Sequence, residues 1–242
     1  MKRSFPYRAS GGEMRGLAQP GYYPDFSTLA QKKTWDETTR QIVTQRVERP
    51  PTVRFFSPQE AALLQTIIDR VMPQDDRDEA HTIPLLPAID ERLFNKSING
   101  YRYEDMPSDQ EAYRLGLAAI AEMAQQRFGQ SFVALSVHRQ ELLLKSLHDE
   151  KPDPEHTVWG RMPVKRFWAM LLGDCVAAYY SHPWAWDEVG FGGPAYPRGY
   201  MRLENGMPEP WESDETRYEW SAPADSVSDF TEDDRREWSK KW

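Results

Sequence analysis

The stretch FSPQEAALLQTIIDRVMP, residues 56–73, decides the fold class because it contains both a helix start and a helix stop. Ser57 can cap the N-terminus, Pro58 suits the first helical position, and Glu60 completes a capping box with Ser57. Apolar side chains then recur at helical spacing until Pro73, which cannot continue a helix. The stretch therefore predicts one helix with an apolar face, formed by Ala61, Leu64, Ile67, Ile68 and Val71.

Four further helical patterns follow along the chain. A short helix is predicted over residues 84–94, and another over residues 108–128, between a second Ser/Glu capping box and Gly129 as the C-terminal cap. Ser136 opens a fourth helix, and the fifth begins near Pro163 with a broad apolar stripe. Alternating strand patterns are nearly absent, with residues 156–159 as the one short candidate. The predicted fold class is all-α, a small bundle of about five helices with long irregular arms.

Composition divides the chain into three parts. Residues 1–55 are polar with scattered Gly and Pro, which predicts an extended N-terminal arm. Residues 56–200 hold the helical domain and end in an aromatic Gly/Pro loop, and residues 201–242 form an acidic, Trp-containing tail. Irregular segments of this length are uncommon inside compact domains and are usually functional or disordered. The two arms are therefore candidates for a functional role.

Charge and cysteine content exclude several classes of protein. A net charge of −8 disfavours broad contact with nucleic acid or with an anionic membrane. The single cysteine, Cys175, cannot form an internal disulfide, and no segment reaches the ~20 apolar residues of a membrane span. The first residues lack the apolar run of a cleavable signal peptide. A periplasmic location would thus require a signal-bearing partner, and without one we expect the chain to stay in the cytoplasm.

No residue pattern predicts a catalytic residue, a cofactor site or a metal site on this chain. The five histidines do not pair with one another or with Cys175 at metal-ligand spacing. Cys175 itself lies on the apolar stripe of the fifth helix, which is typical of a buried structural thiol. The GFGG sequence at residues 190–193 has neither the preceding strand nor the following helix of a nucleotide-binding loop.

The segment YYSHPWAWDEVGFGGPAYPRGY, residues 179–200, is rich in aromatic rings but too interrupted by Gly and Pro for a regular helix or strand. It either folds back to seal the helical core or presents its aromatics to a second protein, where Trp and Tyr are common anchors. Basic residues at the start of the fifth helix form either a solvated face or a docking patch for an acidic partner. The candidate interface residues are Arg161, Lys165, Arg166, Trp184, Trp186, Phe191, Tyr196, Tyr200, Trp211 and Trp220.

Several stretches, taken together, resemble the gluconate 2-dehydrogenase subunit 3 family. No single one is diagnostic, but their order and spacing are specific, and they cover residues 56 to about 200. They are FSPQE (56–60), IIDRVMP (67–73), YRLGL (113–117), FGQSF (128–132), YYSHP (179–183) and GFGGP (190–194).

The resemblance implies a supporting role in an oxidoreductase complex. Members of this family are the small, or gamma, subunits of bacterial sugar and polyol dehydrogenases. The large subunit of such a complex is a flavoprotein of the glucose-methanol-choline (GMC) oxidoreductase type, which carries FAD and oxidises a sugar, gluconate or related polyol. A cytochrome c subunit commonly takes the electrons. The small subunit binds no cofactor and supports maturation or export of the large one, so we expect this chain to clamp its partner through the arms and the aromatic segment.

Two alternatives of other classes remain open at the level of sequence. The chain could be a stand-alone enzyme with a pocket at His182, beside Trp184 and Trp186. It could also be a free carbohydrate-binding module, because aromatic faces stack on sugars. The first alternative predicts turnover without a partner, and the second predicts direct sugar binding.

Overall fold

Helices account for all the regular structure in the part of the chain that a computed structural model describes, residues 27–194 without positions 76, 78, 99, 101, 190 and 192. None of these helices is both long enough and apolar enough to cross a membrane. The α-helices are α1 (Glu37–Glu48), α2 (Pro58–Val71), α3 (Leu85–Phe94), α4 (Asp109–Phe128), α5 (Val137–His148), α6 (Val164–Tyr180) and α7 (Pro183–Val189). Short 3-10 helices span Thr28–Thr34, Glu79–His81, Phe132–Ala134 and Thr157–Gly160.

Helices α2 to α6 form a bundle around a shared apolar core, which confirms the predicted all-α class. α2 packs against α3, α4 and α5, and α6 packs against the same three helices. Tyr113 in α4 and Phe167 in α6 are fully buried, with ring centroids 6.2 Å apart in an edge-to-face contact. The two helices approach closely at Gly116, where a Cβ atom would overlap the ring of Phe167.

The predicted capping signals are present at the helix ends. Ser57 Oγ accepts the backbone N–H of Glu60 at 3.2 Å, and Glu60 Oε2 accepts the backbone N–H of Ser57 at 2.9 Å. At the start of α4 the structure shows one half of the predicted box, in which Ser108 Oγ accepts the N–H of Glu111 at 3.3 Å. Gly129 ends α4 with a left-handed φ of 67°, which glycine adopts without steric cost.

A buried carboxylate fixes the chain where it enters α2. Asp90 in α3 is completely buried and accepts hydrogen bonds from three consecutive backbone N–H groups, those of residues 54–56. The four N···O distances are 2.6, 3.1, 2.9 and 2.9 Å. Because buried N–H groups need a partner, this single side chain satisfies the segment before α2 and couples it to α3.

Two helices lie where the sequence predicted none, so the structure has seven α-helices in its described residues instead of about five. α1 has little apolar periodicity in its sequence, because Val43 is its one buried residue. Asp36 caps the helix by accepting the N–H of Thr39 at 3.0 Å. α7 lies within the aromatic segment, for which the sequence predicted no regular helix; it can form because Pro183 stands at its start and the Gly residues of the segment follow only after its end. The prediction of a strand at residues 156–159 is wrong, because His156 caps the 3-10 helix Thr157–Gly160 and the residues after it belong to that helix.

Candidate partner interface

His182 caps α7, which lies within the aromatic segment. Its Nδ1 atom accepts the backbone N–H of Trp184 at 3.3 Å, and the imidazole packs on the Trp184 indole with centroids 4.6 Å apart. The ring of His81 contacts the same indole edge to face, at 5.1 Å between centroids. The indole of Trp184 therefore contacts two histidine rings of its own chain.

Burial decides the protonation state of His182. The residue is 5 % exposed, and this desolvation lowers the pKa of His182 from the ordinary 6.5 to about 4. A hydrogen bond with the backbone of Arg46 opposes the shift, whereas the charges of Arg77 and Arg46 add to it. His182 is therefore neutral at neutral pH and serves as a structural cap.

An N-terminal clasp, residues 28–48, closes over residues 186–193 of the aromatic segment. The backbone N–H of Thr28 donates to Asp187 Oδ1 at 2.7 Å, and Thr28 Oγ1 donates to the carbonyl of Phe191 at 3.2 Å. Burial raises the pKa of Asp187, and the hydrogen bonds from Thr28 act against this rise. Gly193 has a φ of 77°, and a Cβ atom there would lie 2.6 Å from Thr28 Cγ2, so glycine is required at this contact.

Trp186 is enclosed by the same clasp. Its side chain is 8 % exposed, packs against Trp35, and donates from Nε1 to the carbonyl of Tyr180 at 2.6 Å. Phe191 packs edge to face on Trp186 at 5.5 Å and stays 49 % exposed. Of the aromatic interface candidates in the described residues, Trp184 and Trp186 make internal contacts, and Phe191 presents half of its surface to solvent.

An ion pair with low exposure fixes α7 on the bundle. Arg77 pairs with Glu188, and Glu188 Oε2 accepts the hydroxyl of Tyr179 at 2.7 Å. Arg77 Nη1 also donates to the carbonyl of His81 at 3.1 Å. Removing one member of such a pair leaves a poorly solvated charge behind, so the pair ties α7 firmly to the loop after α2.

A second network joins α3, α4 and α6, and sequence reasoning missed it. Arg92 donates to Asp109 Oδ2 and to Asp174 Oδ2, both at 2.5 Å, and the Tyr113 hydroxyl donates to the same oxygen of Asp174 at 2.7 Å. Burial raises the pKa of Asp174, with the charge of Arg92 opposing the rise. Burial likewise raises the pKa of the adjacent Cys175 thiol to about 12. The sequence did contain a signal for this network, because Asp174 falls on the buried face of α6. A buried carboxylate requires a hydrogen-bonding or cationic partner.

A groove of about 500 Å³ opens beside this network, at the N-terminal end of α6. Two of the three basic candidates, Lys165 and Arg166, line it, whereas Arg161 is exposed outside the lining. The lining combines apolar and charged side chains: Arg102, Tyr103, Met106, Asp109, Lys165, Arg166, Ala169 and Met170.

The cations of the groove differ in how fully they are paired. The guanidinium of Arg166 stacks on Tyr103, 3.6 Å from the ring centroid, and its Nε atom lies 3.2 Å from Asp105 Oδ2. Lys165 lies 3.1 Å from a carboxylate oxygen of Glu150, with both side chains largely exposed. Arg102 has no ion-pair partner among the residues that the structure describes. Because exposed ion pairs contribute little, an incoming carboxylate can compete for these cations.

The remaining interface candidates, Tyr196, Tyr200, Trp211 and Trp220, lie outside the described residues, and their role stays a prediction. Within the described ranges, no group of three or more His, Cys, Asp or Glu side chains is placed to hold a metal ion.

Comparison with known proteins gives one match. A family model described as gluconate 2-dehydrogenase subunit 3 matches residues 58–193, more than half of the chain. The matched range begins with α2 and ends at Gly193, so it contains the bundle, the groove and α7, whereas the N-terminal clasp precedes it. Neither the curated proteins nor the solved structures give a match.

Proposed function

Because the chain belongs to the gluconate 2-dehydrogenase subunit 3 family, we propose that it is the small, non-catalytic subunit of an FAD-dependent dehydrogenase complex. The partner is a GMC-type flavoprotein that oxidises a sugar, gluconate or a related polyol. FAD belongs to that large subunit, and a cytochrome c subunit is a further candidate member of the complex. This chain binds the large subunit and supports its stability or maturation.

The extent of the family match carries the proposal. The match begins at the first residue of α2 and ends beyond α7, so the helical bundle is the unit that the family has in common. A function common to subunits of one dehydrogenase type is therefore assigned to the bundle, whereas the clasp and the tail lie outside the matched range.

The use of the buried reactive groups also favours a binding role. His182 caps α7, and Asp174 is bound by Arg92 and Tyr113. The thiol of Cys175 is buried, with its pKa raised to about 12, and nucleophilic cysteines have a lowered pKa. The burial and the hydrogen bonds of these side chains therefore account for their presence without a catalytic role.

Purification of the tagged full-length chain from its native host, followed by a visible absorption spectrum, tests the proposal. We expect a near-stoichiometric larger protein with flavin absorption bands, and a panel of sugars and polyols assayed on that complex then identifies the substrate. The isolated chain assayed on the same panel is the control and should show no turnover. A colourless chain that elutes alone, or turnover or direct sugar binding by the isolated chain, would contradict the proposal.

A further inference from the structure

α6 buries one face in the bundle and leaves the opposite face open along its whole length. The exposed positions recur every three or four residues, and after the first of them they carry no charge. Val176 is 45 % exposed and Tyr180 is 50 % exposed. We call this surface the α6 stripe; it consists of Lys165, Ala169, Gly173, Val176, Ala177 and Tyr180. Solvent-facing helix surfaces are normally polar, and a continuous apolar one marks an interaction site.

Gly173 lies in the middle of the stripe, and no contact among the described residues requires a glycine there. It lies within α6, and a Cβ atom there would meet nothing within 4 Å. Gly116 is the contrast, because a Cβ atom there would overlap a buried ring. Glycine weakens a helix interior relative to alanine. A helix glycine that no internal contact requires therefore indicates that the backbone of another molecule approaches closely at this position. The alanines one turn before and after it, Ala169 and Ala177, keep the same surface shallow.

The stripe continues at its N-terminal end into the groove, since Lys165 and Ala169 belong to both. The groove lining has three cations, Arg102, Lys165 and Arg166, against a single carboxylate, Asp109, which already accepts from Arg92. Asp105 and Glu150 pair with two of the cations from the rim. Arg102 is thus the cation of the groove without an ion-pair partner among the described residues, and this end of the surface suits a carboxylate of a binding partner.

We propose that the α6 stripe and the adjoining groove form the docking surface for the dehydrogenase large subunit, an inference that rests on the proposed function. The occupant is a segment of that subunit with an apolar face against α6 and a carboxylate beside Arg102 and Lys165. It packs closely over Gly173, where no side chain intervenes.

Two other occupants fit this surface less well. A second copy of the chain would offer its own α6, whose one carboxylate, Asp174, is buried and bound to Arg92, so it supplies no acid to the groove. The acidic tail, residues 201–242, lies outside the matched range, whereas the stripe and the groove lie inside it. The surface thus lies within the matched range, where a site for a partner common to the family is expected.

Cysteine footprinting on the full-length chain tests the location of the interface. Ala177→Cys places a thiol on the stripe, and Ala118→Cys places a matched thiol at an exposed alanine inside α4. The native Cys175 is buried and should stay unlabelled by maleimide. We expect Ala177→Cys to react rapidly in the free chain and at least ten times more slowly in the flavoprotein complex, with Ala118→Cys reacting equally in both.

Affinity measurements with Gly173→Leu provide a second, independent test of the docking surface. Leucine has open space at this position and a better helix propensity than glycine, so the free variant should unfold at or above the temperature of the wild type. We expect its affinity for the large subunit to fall at least tenfold, and that of Ala118→Leu to stay unchanged. Arg102→Glu should weaken the complex most at low salt.

The outcomes separate this inference from the proposed function. If the wild-type chain captures no flavoprotein, the proposed function fails and this inference with it. If the wild-type complex forms but the Ala177→Cys thiol stays reactive and Gly173→Leu binds normally, only the docking surface is overturned. Protection of Ala177→Cys in the free monomer would assign the surface to the chain's own tail, and a concentration-dependent dimer abolished by Gly173→Leu would assign it to a second copy; either result overturns the inference.

Discussion

Acidification should destabilise the chain through His182. The imidazole is 5 % exposed, and its Nδ1 atom accepts the N–H of Trp184, a hydrogen bond that only an unprotonated nitrogen can make. Burial lowers the pKa of His182 in the folded chain to about 4, against 6.5 for an unperturbed histidine. A proton therefore binds the unfolded chain more readily than the folded one between these two values.

The sign and size of the effect follow from the two pKa values. The neutral form of His182 contributes its full stability above about pH 6.5, and that contribution is lost as the pH falls towards 4. Each pH unit within this window lowers the free energy of unfolding by about 1.4 kcal/mol at most. Between pH 7 and pH 4.5 the expected loss from this one group is about 2.5 kcal/mol.

Urea unfolding of the wild type and of His182→Asn, at several pH values from 7 to 4.5, isolates this contribution. Asparagine is a good helix N-cap and does not titrate, so the variant keeps the cap while it removes the protonation, the ring contact with Trp184 and the imidazole's hydrogen bond with the backbone of Arg46. We expect the stability difference between the two proteins to shift by about 2.5 kcal/mol in favour of the variant as the pH falls. Parallel pH profiles would refute the buried, neutral cap. Loss of sugar oxidation by the complex in His182→Asn at pH 7 would revive a catalytic role.

Further predictions concern single contacts, each measured on the full-length chain. Gly116→Ala should lower the free energy of urea unfolding by about 1–3 kcal/mol, because the added methyl group overpacks the core against Phe167. Gly173→Ala should instead raise it by about 0.5–1 kcal/mol, because alanine is the better helix former and has open space there. Equal effects would contradict the assignment of one glycine to the core and the other to open surface. Asp90→Asn should lower the free energy of thermal unfolding by roughly 3 kcal/mol, because an amide cannot accept hydrogen bonds from all three N–H groups. A loss below about 1 kcal/mol would contradict the role of the carboxylate in fixing the segment before α2. Gly193→Ala should release the N-terminal clasp, seen as faster proteolysis within Glu37–Glu48, while Gly173→Ala leaves that rate unchanged.

Local signals were sufficient to predict the five helices of the bundle. Ser57 with Glu60, Pro73 and Gly129 mark helix ends by chemistry that acts within a few residues, and the apolar spacing between them identifies the buried faces. The two other helices depend on contacts between distant segments. α1 has little apolar periodicity because one residue, Val43, anchors it, and the surface that Val43 meets includes Trp186 from the other end of the described chain.

The groove could not be predicted for the same reason. Lys165 and Arg166 were visible as a basic cluster, but Arg102 and Tyr103 reach them only because α3, α4 and α6 pack together. The exposed state of the α6 stripe is equally a property of the fold. An apolar helix residue is buried or exposed according to which helices pack beside it, and the sequence of α6 is apolar on both faces.

The position of the clasp explains why the aromatic segment is a poor guide to the partner surface. Aromatic residues are common interface anchors, yet Trp186 is covered by Trp35 of the chain's own N-terminal clasp, which lies before the family match. A partner that bound Trp186 would have to displace the clasp, with its hydrogen bonds from Thr28 to Asp187 and Phe191. The α6 stripe needs no such rearrangement, because its apolar area is already exposed. Availability of the surface, more than aromatic content, therefore favours α6 as the site where a large subunit docks.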